Sequence, residues 1–162
     1  MTVLRTTPVC AAAALAAAAV VAVGLRRLRR RLVVVTVQGL SMQPTYQPGD
    51  RVLVRRGHVP GRGGIIVVER PAADEPHWAG PAAGLGCPTG GVDARAWLIK
   101  RVAAVPGDPT PAPQAATAAC TAPQVPADAL YLLGDHARVS FDSRQFGFFP
   151  CDRVLGSVLR KL

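Results

Sequence analysis

Aromatic side chains make up only 5% of this 162-residue chain, histidines number three, and 10 acidic residues face 19 lysines and arginines. Each scarcity excludes something. With two Trp, two Tyr and four Phe, the chain lacks the interleaved aromatic and basic residues that stack and hold single-stranded nucleic acid. His58, His77 and His136 are scattered, and Cys10, Cys87, Cys120 and Cys151 show no C-x-x-C spacing, so the sequence offers no metal site and implies no cofactor. What is abundant is Gly (16) and Pro (15) in a chain that is 49% hydrophobic, which suits short strands and frequent turns better than long amphipathic helices. The length accommodates one domain and an appendage, and excludes a second large domain.

The net charge of +9 is unevenly placed. Arg5, Arg26, Arg27, Arg29, Arg30 and Arg31 flank one uncharged stretch, VCAAAALAAAAVVAVGL, from Val9 to Leu25. From Val33 onward, 13 basic residues face 10 acids, so that part is only mildly basic. A basic cluster beside an apolar run reads as contact with anionic lipid headgroups rather than with nucleic acid. The run is at the short end of what spans a bilayer, and its alanines make it weakly hydrophobic. RRLRRR follows it at once instead of a polar cleavage region, so a retained transmembrane anchor is expected over a cleaved signal peptide, with an Ala-rich soluble helix as the competitor. Residues 1–31 form this anchor and basic flank. The arginines on its C-terminal side favour, by charge bias alone, a cytoplasmic location for the domain beyond them.

Residues 32–162 change character. LVVVTV (Leu32 to Val37), RVLV (Arg51 to Val54), IIVVE (Ile65 to Glu69), AWLIKRVAAV (Ala96 to Val105), LYLL (Leu130 to Leu133) and VLGSVL (Val154 to Leu159) are β-branched or Leu-rich runs bounded by turn residues. They predict a small, mainly β domain. Pro71 to Ala96 and Pro109 to Ala127 are Pro/Ala/Gly-rich and read as long loops. Cys87 and Cys120 sit in these loops and could pair in an oxidising compartment or remain free thiols.

Three segments carry chemistry. GLSMQPTYQPGD places Ser41 in a turn directly after a strand, where a hydroxyl can sit at the domain edge with backbone N–H groups near it; a lone turn serine more commonly satisfies local backbone. WLIKRVAAVPGD puts Lys100 in an apolar strand, and period-two alternation groups it with Leu98 and Val102. If that face is buried, desolvation lowers the amine's pKa and makes it a base near neutral pH; on an exposed edge it is an ordinary solvated lysine. LGDHARVSFDSRQFGFFP concentrates Asp135, Ser140, Asp142, Ser143 and Arg144 in one loop, where Asp142 and Arg144 can pair and a serine can orient a lysine amine.

Together these segments resemble the type I signal peptidase family, in its minimal Gram-positive style. Ser41-Met42-Gln43-Pro44-Thr45 is similar to the family's S-M-x-P-T. Lys100-Arg101-Val102 with Pro106-Gly107-Asp108 fits its K-R-V and P-G-D, and Gly134-Asp135 with Ser140-Phe141-Asp142-Ser143-Arg144 and Phe146-Gly147 fits its G-D-N-x-x-x-S-x-D-S-R-x-F-G. His136 stands where that family usually has Asn, Gly63-Gly64-Ile65-Ile66 replaces G-D-I-V, and the 25 residues between Asp108 and Gly134 leave no room for a large accessory domain.

The resemblance implies a membrane-bound serine endopeptidase with a Ser/Lys dyad. Ser41 is then the nucleophile and Lys100 its general base, Ser140 aims the amine, and an Asp142–Arg144 ion pair holds the loop. The Ser41 N–H would meet the oxyanion, and because Gly39 occupies the position of a serine in some relatives, a second donor comes from elsewhere. Val37, Met42 and Ile99 match residues lining shallow apolar pockets for small side chains at the first and third positions before the cut. The expected partners are signal-peptide-bearing preproteins and membrane lipid, and the expected location is the cell membrane, single-pass, with the domain outside the cytoplasm. Alternatives are a dedicated maturation peptidase facing the cytoplasm and an inactive, membrane-tethered peptide-binding module. Self-cleaving repressors share the dyad, but their N-terminal DNA-binding domain is missing from this sequence.

Overall fold

The computed structural model describes residues 15–24, 31–71, 95–111 and 122–162. Among these, seven strands form one antiparallel sheet: β1 (Leu32–Thr36), β2 (Arg51–Arg56), β3 (Ile65–Glu69), β4 (Trp97–Ala104), β5 (Ala129–Leu133), β6 (Phe149–Pro150) and β7 (Val154–Lys161). Their order is β1-β2-β7-β3-β4-β5-β6. The six expected apolar runs supply all but β6, a two-residue strand on the edge of β5 that is too short to show in any hydrophobic period. The C-terminal strand β7 enters the middle of the sheet, pairing with β2 on one side and β3 on the other.

Strands in the middle of the sheet are buried on both faces, which explains their unbroken aliphatic runs. Ile66 and Val68 of β3 pack with Val102, Leu130, Leu132, Phe149 and Val154 in one core. Val67, on the opposite face, packs with Val37, Val52, Val54 and Leu155 in a second. Fully burying such a side chain contributes about 1.5 to 3 kcal/mol. Val33 and Val35 of β1 share the second core with Trp97 and Ile99 of β4, although three strands separate β1 from β4 in the sheet. The sheet therefore curls until its first edge leans over β4. Register shifts at Leu53/Val54, Val67/Val68 and Val102/Ala104 supply local bends of the kind that curvature requires.

Residues 15–24 form a helix, α1, whose Leu15, Val20, Val21 and Val23 are exposed. Among the described residues no helix is long and apolar enough to cross a membrane. Part of the expected anchor, residues 9–14 and Leu25, lies outside the described residues, as do the arginines from Arg26 to Arg30. So do Cys10, Cys87 and Cys120, and most of both long loops. Among the described residues Cys151 is a free thiol. A short helix absent from the sequence expectation, α2 (Ser143–Phe146), is stabilised locally: Asp142 caps it, and the Gln145 side chain returns a bond to the Asp142 N–H in a capping box.

Candidate active site

Residues 39–45 form a turn at the end of β1. It begins at Gly39, whose φ of +77° lies in the left-handed region that glycine enters without steric penalty. Tyr46 N–H donates to the Met42 carbonyl at 2.9 Å and Gln43 N–H to that of Leu40 at 3.1 Å. Met42 is buried and anchors the turn, while Ser41 stays partly exposed. The Ser41 carbonyl accepts from the His136 N–H at 3.0 Å, so the turn is tied to the segment after β5. The Ser41 N–H donates to no acceptor among the described residues.

The alternation argument for Lys100 resolves toward burial. Val102, two residues on, is in the core and Leu98, two residues back, packs against it, while Lys100 itself is 1% exposed. Its Nζ donates to Ser140 Oγ at 3.0 Å. Burial pulls the amine from its ordinary 10.5 down to about 8; the Asp142 carboxylate works against this and the Arg144 guanidinium with it.

Ser140, also buried, belongs to a rigid unit built around Asp142. The fully buried Asp142 carboxylate accepts from Gly134 N–H at 2.9 Å and from Arg144 Nε and Nη2 at 2.9 and 2.7 Å. Burial alone would raise this carboxyl, but Arg144, the Gly134 N–H and the Ser140 hydroxyl together hold it below the usual range. Ser143 joins the unit by accepting from Leu132 N–H at 2.8 Å.

Gly134 is where the two halves of the site meet. A Cβ there would overlap Ser140 Oγ and stand 2.7 Å from the Ser41 carbonyl oxygen. The Ser41 backbone and the hydroxyl that holds Lys100 thus press against one glycine. Sequence reasoning named Ser41, Lys100, Ser140, Asp142 and Arg144 separately; the fold joins Lys100, Ser140, Asp142 and Arg144 through their side chains and brings the Ser41 carbonyl to the other side of Gly134.

Val37, Met42 and Ile99 also converge with Ser41. All four line a groove of about 310 Å³ between the end of β1 and the start of β4, with Val35, Gln38, Trp97 and Arg70 among the other lining residues. Lys100 follows Ile99 but lies beneath the surface.

One group escaped the sequence reading. Arg101 donates from Nε and Nη2 to the Asp135 carboxylate at 2.8 and 2.7 Å and from Nη1 to the Gly63 carbonyl at 2.8 Å, and Thr45 Oγ1 donates to the same carboxylate. Burial opposes ionisation of Asp135, but Arg101 and Thr45 outweigh it and depress its pKa. This clamp joins all three chemical segments, since Thr45, Arg101 and Asp135 each belong to a different one. The letters were visible in K-R-V and G-D; the pairing was not, because Thr45 and Asp135 are 90 residues apart.

The site thus holds a buried lysine amine bonded to a serine hydroxyl, and a partly exposed turn serine on a groove of mixed polar and apolar lining. The family model for signal peptidase, peptidase S26, matches residues 9–111 and 109–161, nearly the whole sequence. The chain belongs to that family, a family of serine peptidases acting on signal-peptide-bearing substrates. A comparison with the curated proteins returned no match.

Proposed function

We propose that the protein is a Ser/Lys endopeptidase that removes signal peptides from exported preproteins after small residues at the first and third positions before the cut. The observation that carries this reading is the buried Lys100 amine, drawn down to about 8 and held by Ser140 on the other side of Gly134 from Ser41. No ordinary structural role requires a lysine in that position, and burial without a carboxylate partner is unfavourable.

Neutral Lys100 accepts the proton of Ser41 as the hydroxyl oxygen attacks the scissile carbonyl. Negative charge develops on the carbonyl oxygen, where the Ser41 N–H is available to receive it. The Lys100 ammonium then donates its proton to the departing amine, leaving an ester on Ser41. Water, deprotonated by the again neutral Lys100, attacks that ester, and the Lys100 ammonium returns the proton to Ser41 Oγ as the acid leaves. Ser140 keeps the amine aimed through both steps, and Asp142 with Arg144 keeps Ser140 in place. Val37, Met42 and Ile99 form the groove wall that excludes large side chains next to Ser41.

The membrane placement belongs to the same reading: residues 9–25 as anchor, the Arg26 to Arg31 cluster against anionic headgroups, and the domain outside the cytoplasm where signal peptides emerge. A second reading, a dedicated maturation peptidase facing the cytoplasm, is favoured by the five arginines on the C-terminal side of the apolar run. Alkaline phosphatase fused after Leu162 separates them, being active only if the domain is exported.

The chemical test is cleavage of a reporter peptide with Ala at both positions. Ser41→Ala and Lys100→Ala should each abolish it with the fold intact, and the double variant should be scarcely worse, because both residues serve one proton transfer. Substantial cleavage by Ser41→Ala overturns the assignment.

A further inference from the structure

The groove continues past Ile99. Its wall runs through Leu98, Trp97 and Ala96 to Arg95 and Arg70. The β3–β4 ladder fixes where these arginines stand. Ile66 is opposite Lys100, and four residues further along β3 the Arg70 N–H donates to the Ala96 carbonyl at 2.8 Å. At about 3.4 Å per residue, Arg70 is about 14 Å from Lys100 along the strand direction.

This end differs electrostatically from the end at Ser41. Glu69, almost fully buried, takes salt bridges from Arg95 at 2.7 Å and Arg153 at 3.2 Å, so its charge is already shared between two guanidinium groups. Arg70 is exposed and forms no ion pair with a carboxylate among the described residues. Among the described residues the far end is therefore positive, whereas Val37, Met42 and Ile99 leave the Ser41 end uncharged.

Resting on the peptidase reading above, we propose that Arg70 selects substrates with an acidic side chain about four to six residues before the cleaved bond. On that reading the side chains that receive the first and third positions, Val37, Met42 and Ile99, line the groove at its Ser41 end, so the far end receives the chain upstream of the cut. An extended peptide advances along the groove at the same rise per residue as β4, and the length of the arginine side chain sets the spread of about two positions. Exclusion of large side chains near Ser41 and charge selection at Arg70 act on one peptide at two separate points. The pair forms at the surface, so its effect is modest and sensitive to salt.

The experiment uses the full-length protein and reporter peptides sharing one Ala-x-Ala cut site, with Asp, Asn or Lys placed in turn at the fourth, fifth and sixth upstream positions. At one of these, kcat/KM should fall in the order Asp, Asn, Lys, by about two- to fivefold per step, and the differences should shrink at high salt. Arg70→Glu, checked for folding by circular dichroism, should reverse the order. Equal rates for the three peptides, or an order unchanged by Arg70→Glu, overturn the proposal. So does an Arg70→Glu defect confined to binding of phosphatidylglycerol vesicles, which assigns the arginine to lipid instead. Failure of the wild-type protein to cleave any of the peptides refutes the peptidase reading itself, a distinct result.

Discussion

Replacing Lys100 by Met should abolish activity and make the protein more stable at neutral pH. The unfolded chain binds a proton on this amine up to about pH 10.5, whereas the folded protein does so only up to about 8. Between those values the unfolded state carries more protons, so stability rises with pH; below pH 8 the native protein bears the whole penalty of a buried ammonium. At about 1.4 kcal/mol per pH unit the gap is about 3 kcal/mol. Methionine has nearly the length of lysine and no charge, so Lys100→Met removes that penalty. Against this, Ser140 Oγ loses the bond it accepts from Nζ, at about 1 kcal/mol, although its hydroxyl still donates to Asp142. The net gain is about 2 kcal/mol at pH 7. It should be gone near pH 10.5, where the lysine is neutral in the folded protein and half neutral in the unfolded chain and the lost hydrogen bond outweighs what remains of the penalty. Urea unfolding of the full-length protein in mild detergent, with and without the substitution, at pH 7 and near pH 10.5, measures both numbers. A variant less stable than wild type at pH 7, or a gain equal at the two pH values, refutes the claim that Lys100 is held against its ionisation preference.

The same shift predicts that kcat/KM for a reporter peptide rises about tenfold per pH unit below 8 and levels off above it, since only neutral Lys100 accepts a proton; a maximum near pH 5 would indicate a carboxylate mechanism. Gly134→Ala should lose most activity and about 1 to 3 kcal/mol of stability, because the new methyl overlaps Ser140 Oγ and crowds the Ser41 carbonyl, and unchanged kinetics would contradict the close packing described. Arg144→Ala leaves the Asp142 carboxylate buried without its guanidinium, at about 3 to 5 kcal/mol of stability. It also removes a charge that depresses Lys100, so the pH–rate limb should move to higher pH; a limb that stays in place would show Arg144 to be electrostatically silent at the amine.

Which residues fold into strands was legible in the sequence because burial on one or both faces of a sheet leaves a local hydrophobic signature, and six of the seven strands carry it. The candidate chemical side chains could be named from sequence too, since Ser41, Lys100 and Ser140 stand in motifs whose letters are local. Tertiary structure decided what locality cannot express. Whether Lys100 is a buried amine or an ordinary surface lysine depended on which face of β4 packs inward, and alternation alone allows both answers. That Ser41 and Ser140 both pack against Gly134, and that Thr45, Arg101 and Asp135 form one clamp, results from a curled sheet that joins residues 90 or more positions apart. The groove is of the same kind: Val37 and Ile99 face each other, and Arg70 extends their wall, only because β1 leans over β4. A side chain's chemistry is written in its own letter, but its pKa and its partners are set by what the rest of the chain packs around it.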